Sequence, residues 1–191
     1  MSAGASGSLE IARGVVVADA LAVFETISAR PGVWHLLHTR SRQEKVLAET
    51  MSAKGIGVFL PLVEVTRTYG RRKASVGLPL FPGYVFLKGP LDDAYEADRT
   101  KRVAGIIPVV NQVQLAWELR NLARALAARV PLDPYPYLRA GVRVEIRSGP
   151  LAGIQGVVES RLKRDRLLLQ IDVLGQATSL EIDGAIVEPI E

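Results

Sequence analysis

No cysteine occurs anywhere in the 191 residues, and that absence removes disulfide scaffolds, thiolate metal sites and thiol nucleophiles together. Histidine is nearly as scarce, with His35 and His38 the only two imidazoles. Three positions apart on a strand, they point to opposite faces, and a zinc site there would need further ligands that neither cysteine nor a nearby carboxylate supplies. Long apolar runs are missing too. The longest near the start, Val15–Ala18, is interrupted by Asp19 and preceded only by Arg13. That is too short for a membrane span and lacks the form of a signal peptide, so the chain reads as cytoplasmic, with no membrane partner. No Ser/His/Asp arrangement appears. The glycine-bearing stretch SGPLAGIQG leads into strands instead of a helix, so it is no phosphate loop. Neither a cofactor nor a reaction centre is implied, and the chain is not expected to be an enzyme.

What is present is a globular composition, 48% hydrophobic, with an uneven charge. Between Val33 and Arg129, 15 Lys and Arg face 8 Asp and Glu, a net +7. Between Arg139 and Glu191 the count is 7 against 8, a net −1. The first part is therefore the one suited to a polyanion.

The order of elements is readable from pattern. Residues 1–30 read as a disordered tail, small and polar through residue 12, with a short helix possible over Asp19–Ser28. WHLLHT has strand character. Ser41-Arg42-Gln43-Glu44 has the spacing of a capping box, in which Ser41 takes a helix amide and Glu44 reaches back. Gly55 is placed to end that helix. IGVFLPLVEV reads as one strand whose Pro61 marks an edge or bulge. SVGLPLFPGYVFLKG reads as a strand pair broken at Pro-Gly, followed by a helix near Asp92–Thr100 and a strand at Val103–Val110. Leu115, Leu119, Leu122 and Leu126 then fall at helical spacing, one buried stripe. The fold class is α+β: an antiparallel sheet with flanking helices over 31–130, a short proline-bearing linker over 131–138, and a small five-stranded barrel over 139–191. The five strands are VRVEI, IQGVVES, RLLLQIDVL, TSLEI and AIVEP.

Two stretches carry a resemblance. WHLLHTRSRQEKVLAETMSAKGIGVFLPL followed by LPLFPGYVF resembles the amino-terminal (NGN) domain of the NusG family of transcription elongation factors. Residues 139–191, with Gly141, Val144, Gly149-Pro150-Leu151, Gly153 and Gly156, resemble that family's KOW domain. The resemblance implies that Phe81, Tyr84 and Phe86 face the clamp helices of RNA polymerase. It further implies that Arg40, Arg42 and Gln43, with Thr100, Lys101 and Arg102 in a second loop, contact the non-template DNA strand. Lys101-Arg102 replaces the Pro-Gly pair usual in that loop. Arg71, Arg72 and Lys73, in what resembles a hairpin, are placed to touch upstream DNA or simply to keep the hairpin soluble. In the KOW domain, Val173, Leu174 and Gln176 match a loop that binds a small-subunit ribosomal protein or the termination factor Rho. Leu174 and Gln176 stand where many general members carry Phe and Arg.

The expectation is a monomeric adaptor that holds polymerase with one domain and recruits with the other. Two subfamilies stay open, the general NusG factor and a specialised RfaH-like antitermination paralogue, with the altered loops favouring the latter. The competing class is a ribosome-associated, RNA-binding KOW protein, which would lack LFPGYVF.

Overall fold

The computed structural model describes residues 20–69, 72–129, 132–135, 142–159, 165–182 and 187–190; the side chains of 66–69, 72–74, 133–135, 142, 159, 165, 166, 182 and 187–189 are outside it. The chain divides into two compact units, Met1–Gln112 and Val113–Glu191.

The first unit contains helix α1 (Ala20–Ser28), strand β1 (Val33–Thr39), α2 (Glu44–Ala53), β2 (Gly57–Phe59), β3 (Leu62–Tyr69), β4 (Arg72–Pro79), β5 (Tyr84–Gly89), α3 (Leu91–Arg99) and β6 (Val103–Ile107). Its main sheet runs β2-β5-β1-β6, while β3 and β4 form a separate two-stranded ribbon. All pairings are antiparallel. The single strand read over IGVFLPLVEV is two, because Leu60-Pro61 interrupts the ladder and Pro61 has no amide to donate.

Alternation along the strands separates two faces. Leu37, Val85, Leu87, Val58 and Val103 join Leu47 and Met51 of α2 and Ala94 and Ala97 of α3 in one core. The other face carries Trp34, Leu36, Phe59 and Phe86, all at most 2% exposed. Helix α1 contributes to that second face. Ala20, Phe24 and Ile27 are buried at helical spacing, and the Phe24 ring stacks on Trp34 at 5.9 Å and meets Phe59 edge-on at 5.5 Å. A helix of nine residues does not persist on its own propensity, so these ring contacts hold it. The expectation of a disordered tail to residue 30 is therefore corrected for 20–30; residues 1–19 lie outside the described residues.

The capping box is also corrected. Helix α2 begins at Glu44 with Gln43 as N-cap and no side-chain capping bond. Arg42 takes a left-handed φ of 60°, and the Glu44 carboxylate instead accepts the Gly83 amide at 2.7 Å. The far end behaves as read: the Gly55 amide donates to Ser52 and that of Ile56 to Met51, the double bond of a Schellman motif.

The second unit opens with α4 (Gln112–Ala127) and continues through β7 (Asp133–Tyr135), β8 (Val142–Ile146), β9 (Gln155–Glu159), β10 (Asp165–Ile171), a single 3-10 turn (Asp172–Leu174), β11 (Gln176–Ile182) and β12 (Val187–Pro189). The leucine stripe of α4 is buried as its spacing requires, yet from Val113 on the helix groups with the second unit, whereas its place in the sequence had joined it to the first. Strands β8–β12 are the five read from the sequence. The sheet order is β12-β8-β9-β10-β11-β7, so the proline-bearing linker itself supplies a strand. Pro134 pairs with Thr178 there, which an outermost strand tolerates.

Candidate functional site

The LFPGY segment forms a tight turn. The Tyr84 amide donates to Phe81 O at 3.2 Å, with Pro82 at the first central position and Gly83, φ +88°, at the second. This is a type II turn, whose second central residue must take positive φ. Tyr84 then opens β5 directly opposite His38 of β1, and the two rings stack at 5.2 Å with 26° between planes. His38 is exposed and Tyr84 half-buried. Of the three aromatic residues expected to face a partner, Tyr84 alone presents surface. Phe86 lies opposite Leu36 and Phe59 and is 0% exposed, and Phe81 is 3% exposed. Direct contact by Phe81 and Phe86 is corrected accordingly: both lie in the first unit's interior, beneath the exposed end of the sheet.

Successive residues at the end of β1 tie three segments together. His38 stacks on Tyr84, the Thr39 amide donates to Gly83 O at 2.7 Å, and the Arg40 amide donates to Arg102 O at 2.8 Å. The β1–α2 and α3–β6 loops are thus joined, and Arg40, Arg42, Lys101 and Arg102 gather at one sheet end beside the LFPGY turn. Arg42 and Lys101 adopt nearly identical left-handed torsions, φ 60° and 59°. Among the described residues, no carboxylate forms an ion pair with any of these four cations. The Nε of Arg102 and the hydroxyl of Thr39 are buried without hydrogen-bond partners. Thr100 has an internal role, since its hydroxyl donates to Ala97 O at 2.6 Å and accepts the Arg102 amide at 3.3 Å. Gln43 is half-buried at the start of α2. Arg71 and the side chains of Arg72 and Lys73 lie outside the described residues, although β4 includes the latter two.

The carboxy-terminal loop is compact. Val173 and Leu174 are half-buried in the 3-10 turn, and Gly175 closes it at φ +59°. Gln176, also half-buried, starts β11. Sequence reasoning passed over two further side chains in this unit. Glu118 and Asn121 of α4 are 3% and 5% exposed. Their spacing places them within the leucine stripe, a signal that periodicity could have supplied. The Glu118 carboxylate accepts Gln114 Nε2 at 2.9 Å and the Asp172 amide at 3.2 Å. Burial, with a smaller contribution from the Asp172 charge, raises its pKa to about 7, against the opposing pull of those hydrogen bonds and of Arg143.

Residues 32–119 match the family model described as "Transcription termination factor nusG". Residues 32–119 thus form a domain of the NusG family. Transcription termination/antitermination protein NusG of Thermus thermophilus is 25% identical over 173 residues, covering 78% of this chain and 94% of its own. The Deinococcus radiodurans protein of the same name is 27% identical over 180 residues, covering 78% and 95%. Among solved structures, "Domain interaction in Thermotoga maritima NusG" aligns with 83% of this chain and 97% of its own, at 25% identity and a TM-score of 0.43. No helix among the described residues is long and apolar enough to cross a membrane.

Proposed function

We propose that this protein is a transcription elongation and antitermination factor of the NusG family that rides on RNA polymerase and touches the exposed DNA strand beside it. One observation carries the reading: at the end of β1, the Tyr84–His38 stack and the cations Arg40, Arg42, Lys101 and Arg102, without ion-pair partners among the described residues, come together. Tyr84 is an aromatic anchor of the type expected at interface hot spots, and it contacts the polymerase clamp helices while Phe81 and Phe86 support it from below. The four cations take the phosphates of the non-template strand, an attraction that needs no base-specific contact. Arg71, Arg72 and Lys73 supply a further contact, with upstream DNA. No bond is made or broken; the factor stabilises the closed clamp and suppresses pausing.

The barrel loop carrying Val173, Leu174 and Gln176 recruits a partner, of which a small-subunit ribosomal protein and Rho are the two candidates. Leu174 supplies less apolar area than an aromatic would, and Gln176 carries no charge, so the loop is a weaker holder of a general partner. Together with Lys101-Arg102 in the DNA-facing loop, this favours an operon-restricted factor of the RfaH kind over the general one. Genome-wide occupancy tests the choice: attachment to a few operons is the expected result, and attachment to nearly every transcript would assign the general role. Loss of the purified protein's effect on pausing after Tyr84→Ala tests the polymerase contact itself.

A further inference from the structure

Helix α4 carries a carboxyl group on a face that its leucines reserve for packing. Glu118 lies between Leu115 and Leu122, both buried, and its two oxygens are used in different directions. One accepts Gln114 Nε2 from the same helix; the other accepts the backbone amide of Asp172 at the start of the 3-10 turn. That turn contains Val173 and Leu174. One helical turn further on, Asn121 Nδ2 is buried without a partner. Two turns on from Glu118, the Arg124 guanidinium donates to Ala152 O in the β8–β9 loop. These groups surround a cavity of about 30 Å³ whose lining mixes polar side chains, among them Glu118, Asn121 and Arg143, with apolar ones such as Leu168 and Leu169. Such a space has room for about two waters.

A seam of this kind is poised. An apolar contact would be indifferent to protons, whereas a buried carboxyl with a small cavity beside it has two states of different cost. We propose that Glu118 is a protonation-controlled latch between α4 and the 172–175 turn: protonated, it holds the turn against the helix, and ionised, it releases the turn for a partner. The role of that turn as recruiter rests on the function proposed above; the latch itself does not.

The charged groups facing Glu118 are Asp172, whose carboxylate disfavours the anion, and Arg143 of β8, whose guanidinium favours it; desolvation outweighs both. Gln114, Asn121, Gln155 and Gln170 are neutral. The sign follows. In the latched state the carboxyl titrates near 7, and released into water it returns to its ordinary 4.5. Latching therefore takes up a proton between these values, is fully favoured below the lower one, and weakens as pH rises through the higher one. Between pH 6 and pH 8 the latching constant falls by about tenfold.

The test is a pH titration of the full chain from 5.5 to 8.5 by ¹H–¹⁵N NMR, following the Asp172 amide and the indole of Trp117, which also lines the cavity. Both signals are expected to move with a common midpoint near 7, and the exchange protection of the Asp172 amide, corrected for intrinsic rate, to fall about tenfold from pH 6 to pH 8. Glu118→Gln keeps an acceptor for that amide and cannot ionise, so its signals are expected to stay flat. The proposal is overturned if the wild-type signals do not move in this range, or if Glu118→Gln titrates with the same midpoint. Partner capture by the barrel is measured separately, with purified ribosomal small subunits and with Rho. A titrating latch with no captured partner would remove the recruiter role alone, and capture with a flat titration would remove the latch alone.

Discussion

Arg42 and Lys101 both hold left-handed torsions at the joined loops, and this makes charge and strain separable. A non-glycine residue in that region costs roughly 1–2 kcal/mol. Replacing it with glycine recovers that cost but adds about 0.4–1 kcal/mol of backbone entropy lost on folding. The balance for Arg42→Gly plus Lys101→Gly is a gain of about 1 kcal/mol or slightly more. No ion pair among the described residues is broken, because neither cation has a carboxylate partner. Binding should move the other way. Each phosphate contact with a single strand contributes about 0.7 to the slope of log affinity against log salt, so the double variant should lose about 1.4 from that slope. The assays are urea denaturation for stability and fluorescence anisotropy of labelled single-stranded DNA over a salt series, with Arg42→Ala plus Lys101→Ala as the control that removes charge and keeps the strain. A glycine variant that is less stable than wild type, or a salt slope unchanged in both variants, would refute the reasoning.

Three further outcomes are expected. Tyr84→Ala should weaken polymerase binding by about 2 kcal/mol, the scale of an interface anchor, with an unchanged melting curve. Phe86→Ala, in contrast, should lower stability by about 3–5 kcal/mol, because this ring is wholly enclosed; equal stability of the two variants would contradict the division between anchor and support. Phe24→Ala should cost about 3–5 kcal/mol as well, since it deletes the ring that meets both Trp34 and Phe59, and a loss under 1 kcal/mol would mean that α1 is not part of the domain's core.

Much of this architecture was legible because its signals are local. Pro82-Gly83 specifies its turn through two torsions, and the leucine spacing of α4 specifies a helix whatever surrounds it. The errors arose where a distant partner decides. Ser41 and Glu44 have capping-box spacing, but Gly83, far along the chain, offers Glu44 a better donor. Phe86 alternates correctly with Val85, yet alternation gives a face and says nothing of what covers it; here Leu36 and Phe59 flank the ring across the neighbouring strands. Helix α1 looked like the end of a tail because only the aromatic face of the sheet makes a nine-residue helix worth forming. The resemblance implies each cationic loop separately, and it is the amide of Arg40 meeting Arg102 O that joins them. His38, set aside once metal chemistry was excluded, turned out to be the exposed neighbour of Tyr84.

The most direct test of the central claim is photo-crosslinking from position 84. A benzophenone-bearing residue at that site, in the full chain mixed with a reconstituted elongation complex, should crosslink to the clamp helices of RNA polymerase and to no other part of the enzyme. Absence of any crosslink from a protein that still folds, or crosslinks confined to ribosomal components, would contradict the account.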